Sequence, residues 1–434
     1  MSNNFTAQIF ILLFLTLQIP FLIMFDFENL VLLNILNIIV LMFISLNKLF
    51  KEFKSFYIVT LGYVGLIFLD ITKYNFIHTQ YIEKDYVYYA FYFSYVSYFI
   101  YVLVYIISSF NFKAKVNNYF NVDKFNKIII PLSALFLLFY TSVDILIPSL
   151  SDNPILILIG FFPKATTIFM IIMYLKTRNK IYIILSLVFI LFTFTETSRR
   201  VYITFLFIVI PVILSYIIYM KIRIKFIYKF LFVVVLISFF IFLNYLRSTH
   251  NYGEGYDPNN KIKNTINYIV TLKSLDTFYN TAYVIKNFPN KYEYYYGETY
   301  ISVLFMLLPR SLWEEKPIGF AAQLGVLQRL NTQEFSFDKW NSINKFSLSP
   351  GFIGEAYANL GFLGIIILSI LFGLISKLYD TRIKLEDLFT NYNILPYMSF
   401  YGSFFLLLRG DFFSALYFSI FYFLFFKIII RVCK

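Results

Sequence analysis

Cysteine occurs once in the 434 residues, at Cys433, so neither an intramolecular disulfide nor a cysteine-based metal centre can form. Histidine is nearly as scarce, and His78 and His250 are too few for a zinc site. Charge is sparse too: 14% of residues are charged and 59% hydrophobic, a surface that no water-soluble chain of this length could carry without large exposed apolar patches. The chain therefore reads as a membrane protein. Its net charge of +13 does not indicate nucleic acid as a partner, because Lys and Arg stand in short clusters between apolar runs, as in cytoplasmic loops. The first apolar run passes ordinary signal-peptide length without a small-residue cleavage site, so it is expected to stay in the membrane.

What is present is a series of apolar runs. A span needs ~20 such residues, and the runs lie at 5–25, 28–47, 55–71, 87–110, 128–148, 155–175, 181–197, 201–220, 226–246, 352–376, 392–408 and 412–430. The expected fold is an all-α polytopic membrane protein of about twelve transmembrane helices with one long outward loop carrying amphipathic helices. Three regions follow: nine spans in 1–246, the loop in 247–350, and three spans in 351–434. Lysines and arginines after the second, fourth, sixth and eighth runs put those ends in the cytoplasm, and the long loop outside. Within the loop, Lys261 to Phe288 has apolar residues at helical spacing and is expected to lie on the membrane surface or cap a cavity. The run Tyr300 to Pro309 is half a span long and reads as re-entrant or interfacial.

Several cations stand where the positive-inside bias should have removed them. Arg199 and Arg200 lie in a short outward turn, Arg409 lies in another beside Asp411, and Arg247 and Arg310 stand near the same membrane face. Arginine grips phosphate bidentately, so convergence of these five on one cavity would suit a pyrophosphate. The alternative is that each snorkels to lipid or pairs with a nearby acid. Lys164, after Pro163 in the sixth run, is costly in lipid and should be buried against a partner.

The helix that starts near Gly351 places Glu355 and Asn359 on one face, four residues apart. Gly354, Ala358 and Gly361 form a small-residue stripe on which another helix or a ligand can approach closely. A carboxylate there either locks an ion pair or serves chemistry. The aromatic group Tyr292, Tyr294, Tyr295, Tyr296, Tyr300 and Trp313 reads either as interfacial anchors or as a stacking platform for sugar rings. His250 is either a general base or one more polar residue of the loop.

The motifs ETSRR, YLRS, YGETY followed by LLPRSLWEEKP, SPGFIGEAYANLGFLG, and RGD, in that order around a long loop before the third-last span, resemble the oligosaccharide repeat-unit polymerases of bacterial surface polysaccharide synthesis, the Wzy-type O-antigen polymerases. The resemblance covers Glu196 to Asp411; the first half matches only as generic spans. It implies a metal-independent glycosyltransferase of the bacterial inner membrane, without cofactor, that moves a growing glycan from undecaprenyl pyrophosphate to another lipid-linked repeat unit. Glu355, His250 and Asp411 would be its catalytic candidates, and Arg199, Arg200, Arg247, Arg310 and Arg409 its pyrophosphate ligands. Tyr295, Tyr300, Trp313 and Asn359 would meet sugar, and a chain-length regulator protein would be a partner. The one loop histidine, His250, stands at the loop's start, whereas related ligases carry theirs late in the loop. No DxD motif of metal-dependent nucleotide-sugar enzymes is present. A flippase or exporter of lipid-linked oligosaccharide and an O-antigen ligase are the rival readings.

Overall fold

A computed structural model describes residues 3–24, 27–49, 54–65, 83–110, 120–146, 154–193, 199–220, 222, 277–305, 308, 313, 316–332, 334–343, 346–384, 387–389 and 391–434. Among these residues there is no strand. The helices are α1 (Asn3–Met24), α2 (Phe27–Leu49), α3 (Ser55–Tyr63), α4 (Lys84–Ile107), α5 (Ile130–Leu146), α6 (Pro154–Thr177), α7 (Lys180–Thr193), α8 (Arg199–Tyr219), α9 (Thr277–Asn287), α10 (Phe320–Leu330), α11 (Gly351–Arg382), α12 (Tyr401–Arg409) and α13 (Phe412–Val432). Among the described residues, five helical stretches are long and apolar enough to cross a membrane: Asp85–Ile107, Val122–Val143, Ile159–Thr177, Gly351–Arg382 and Phe412–Val432. Shorter apolar helices span Thr6–Pro20, Leu33–Leu49, Lys180–Leu191 and Thr204–Tyr219. The run expected at 226–246 lies outside the described residues.

Apolar side chains point both inward and outward, so polar groups mark the seams between helices. Along α4, Tyr95 donates to the Leu15 carbonyl (2.6 Å), Tyr98 to Thr60 Oγ1 (3.0 Å) and Tyr105 to Asp380 Oδ2 (2.8 Å). Ser97 joins Tyr63 to Ser369 at 2.9 and 2.7 Å. Asp380, near the end of α11, also accepts from the Ser55 and Phe56 backbone N–H groups at 2.7 and 3.2 Å. It thus caps α3 from another helix, satisfying amides that no residue of α3 serves. Lys164 is buried, its ammonium 4.9 Å from the Phe161 ring centroid and 6.0 Å from that of Tyr140. Aromatic faces are the visible part of its surroundings.

Two expected spans take a different form. The run 352–376 is not one straight helix: Leu360 (φ −142°, ψ 21°) and Gly361 (φ 61°, ψ −148°) leave helical geometry, and the chain doubles back. The Phe352 and Phe372 rings sit 5.4 Å apart, where a straight helix would separate them by about 30 Å. Phe93 touches both Tyr357 and Phe362 across the bend, and a methyl group added at Gly364 would strike the Ala356 carbonyl. Residues 351–359 are therefore a short arm that climbs beside the long arm, 362–382, towards a tip at Gly361. Gly361 belongs at the tip because its backbone lies in a region that side chains all but forbid. The small-residue stripe splits accordingly, Gly354 facing Thr281 and Gly361 facing Tyr294. The run 392–408 likewise breaks into a turn at Tyr392–Ile394, a short helix Leu395–Met398 begun by Pro396, and α12, too short to cross by itself.

The long polar segment packs a small core of Val284, Phe288, Tyr292, Phe320, Leu324, Leu327 and Leu348 against Ala358 of α11. α9 is the described part of the helix expected over Lys261 to Phe288; 261–276 lie outside the described residues. None of its residues is exposed. It packs against both α4 and α11, burying Phe278, Asn280, Thr281, Ala282, Val284 and Ile285. Asn280 and Thr281 bond the Ser349 and Pro350 carbonyls at 3.1 and 2.7 Å, which fixes where the short arm begins.

Candidate functional site

Glu355 and Asn359 share a face of the short arm, as their spacing predicts, and both are fully buried. Each bonds to segments far away in sequence. Glu355 Oε1 accepts from Thr299 Oγ1 at 2.8 Å, and Oε2 accepts from the Phe412 backbone N–H at 2.6 Å. Asn359 Nδ2 donates to Thr299 Oγ1 (2.9 Å) and to the Glu355 carbonyl (2.8 Å), while its Oδ1 accepts from the Gly297 N–H (2.9 Å). The backbone adds two more ties, Tyr295 N–H to the Ala358 carbonyl and Tyr296 N–H to that of Asn359, at 3.0 and 3.1 Å. The segments 295–299 and 410–412 are thus stitched to the short arm by its two polar side chains.

Asp411 performs a second set of ties. Its Oδ1 accepts from the Ser414 N–H (3.1 Å) and from the Ser414 hydroxyl, capping α13. Its Oδ2 accepts from the Ala321 N–H at 3.0 Å, which brings α10 onto the same turn. Glu355 and Asp411 interact electrostatically across that turn. All four carboxylate oxygens accept hydrogen bonds, and both residues are buried. In this arrangement the two acids orient backbone, and neither carries a free face towards solvent.

The Tyr300 ring meets Phe412 edge-on at 5.2 Å. Burial, and then the neighbouring Glu355 carboxylate, push its phenol well above the usual tyrosine range. Tyr295 packs against Phe288 and Phe320 at 5.8 and 5.6 Å, inside the loop core, and burial pushes its phenol up as well. Trp313 is exposed and sits edge-on to Phe305 at 4.9 Å. Of the sugar-binding candidates, then, Trp313 faces outward, whereas Tyr295 and Asn359 are built into the fold.

The arginines are placed only in part. Arg409 ends α12, half-buried, and its carbonyl accepts from Thr277 Oγ1 at 3.4 Å. Arg199 and Arg200 open α8, which packs against α12; their side chains lie outside the description. Arg247, Arg310 and His250 also lie outside the described residues. The residues that sequence reasoning passed over are Thr299, at the centre of the Glu355–Asn359 network, and Gly319, where any side chain would strike the Asp411 carboxylate. Thr299 stands inside the YGETY motif, so a signal was present; its partners were not legible. Compared with known proteins, the chain matches no family model, no curated protein and no solved structure.

Proposed function

We propose that this protein polymerises lipid-linked oligosaccharide repeat units in the bacterial inner membrane, with the 247–350 loop facing outward. The observation that carries the reading is the junction itself. YGET, the Glu355 arm and the RGD turn are three of the segments on which the polymerase resemblance rests, and they are bonded to one another through Glu355, Asn359 and Asp411. In the reaction, the bond from the donor's anomeric carbon to its pyrophosphate oxygen breaks, and a bond to the acceptor hydroxyl oxygen forms. The hydroxyl proton passes to a base, and the electron pair leaves with the pyrophosphate. Arg409, with Arg199, Arg200, Arg247 and Arg310, would hold that leaving group, arginine forks matching phosphate oxygens. Glu355 acts in this scheme as a positioning residue that fixes the turn bearing Arg409, and Asn359 as one that fixes the 297–299 segment beside it. His250 remains the candidate base with no structural tie described.

The test is genetic and chemical. Deleting the gene should abolish the polysaccharide ladder while leaving single repeat units on the surface; loss of every repeat would overturn the reading in favour of a flippase or a ligase. Glu355→Gln separates the two roles of the acid. A positioning residue leaves the pH profile of polymer formation unchanged, whereas loss of a general base removes its limb and ~10²- to 10⁴-fold of the rate.

A further inference from the structure

Residues 296–304 are amphipathic in the inverted sense. Thr299 and Ser302 face inward and are fully buried, with Thr299 bonded to Glu355 and Ser302 to the Thr299 carbonyl at 2.6 Å. The exposed residues are Tyr296, at 76%, Glu298, Ile301 and Leu304, at 78%, while Val303 is buried with the hydroxyls; Leu308 and Trp313 continue the apolar, exposed character. A segment bathed in water would place its hydroxyls outward and its Leu and Ile inward. This one does the reverse, Glu298 and Val303 apart, which is the pattern of a segment at an apolar boundary.

Its location agrees. Tyr296 N–H bonds the Asn359 carbonyl, next to the hairpin tip, and Tyr294 packs on Gly361 at that tip. The apolar side chains of the tip and long arm, Leu360 and Leu363, are themselves exposed, Leu363 at 67%, on a helix apolar enough to cross a membrane. Thr299 is bonded to Asn359 and Glu355, two and six residues back from the tip, which sets the segment about 3–9 Å inside it along the arm. Trp and Tyr at the margin of such a face are the residues that prefer the membrane–water boundary.

We propose that the face formed by Tyr296, Ile301, Leu304, Leu308 and Trp313 is embedded in the lipid leaflet on the long-loop side of the membrane. It continues the lipid-facing surface of α11, so that the loop is anchored in the bilayer rather than held above it. The occupant is bilayer acyl chain, and the inference does not depend on the transfer reaction.

The chain's two tryptophans make the test direct. Trp340→Phe, reconstituted in vesicles, leaves Trp313 as the reporter; Trp313→Phe leaves Trp340, whose Nε1 donates to the Phe346 carbonyl at 3.0 Å within the loop. Phosphatidylcholine brominated high on the acyl chain should quench Trp313 at least twofold and spare Trp340. Quenching of Trp313 by aqueous iodide and not by brominated lipid would overturn the proposal. Should the Trp340 substitution disturb folding, Cys433→Ala with Leu304→Cys carries a spin label instead. Its relaxation should respond more to oxygen than to a water-soluble nickel chelate, and the opposite ranking would equally refute lipid contact.

Discussion

Thr299→Val exchanges a hydroxyl for a methyl group of similar shape at the centre of the junction, so it removes hydrogen bonds with little change in packing. Two buried groups then lose a partner: Glu355 Oε1 its 2.8 Å donor, and Asn359 Nδ2 its 2.9 Å acceptor. A buried group left unsatisfied costs about 1–3 kcal/mol, more for a carboxylate, which sums to roughly 4 kcal/mol. Glu355→Gln should be milder. Its amide oxygen still accepts from the Phe412 N–H, whereas its NH₂ meets Thr299 Oγ1 as a donor, so only the Thr299 hydroxyl loses its acceptor, at roughly 2 kcal/mol. The valine change should therefore cost about twice as much as the amide substitution. Unfolding free energies from SDS titration in mixed micelles measure both. If Thr299→Val matched the parent, or if Glu355→Gln were the more destabilising, the carboxylate would not be held by Thr299 and Phe412 and the positioning argument would fail.

Three further perturbations probe the same architecture. Cysteines replacing Phe352 and Phe372 in a Cys433→Ala chain should be joined by a short dithiol-reactive crosslinker, which a straight helix about 30 Å long between them would forbid. Gly319→Ala would drive a methyl group into the Asp411 carboxylate and within 3.0 Å of Phe413 Cβ, so a loss of about 1–3 kcal/mol is expected in the same titration, with wild-type stability as the refuting result. Alkaline titration tests Tyr295 and Tyr300, whose folded-state values are raised by burial. Raised values favour the protonated, folded form, so their contribution is whole below pH about 10 and drains away as pH rises beyond it; the tyrosinate absorbance that Tyr295→Phe and Tyr300→Phe remove should be that which appears with unfolding, exposed tyrosines such as Tyr296 ionising before it.

The sequence by itself determined the membrane setting and the helices, because length and apolarity are local properties of a run. The apolar stretches at 5–25, 28–47, 155–175 and 412–430 fall on α1, α2, α6 and α13, and a four-residue spacing was enough to put Glu355 and Asn359 on one face. The tertiary structure alone decided that α11 turns back on itself. A glycine among apolar residues is as compatible with tight packing in a straight helix as with a reversal, and it is contacts across the bend, Phe352 on Phe372 and Ala356 on Gly364, that distinguish the two. It also decided the partners of the buried acids. A carboxylate in a membrane helix announces that it needs donors, but those donors, Thr299 and the Phe412 amide, come from segments whose proximity is set by how α9, α10 and α13 pack, which no local pattern encodes.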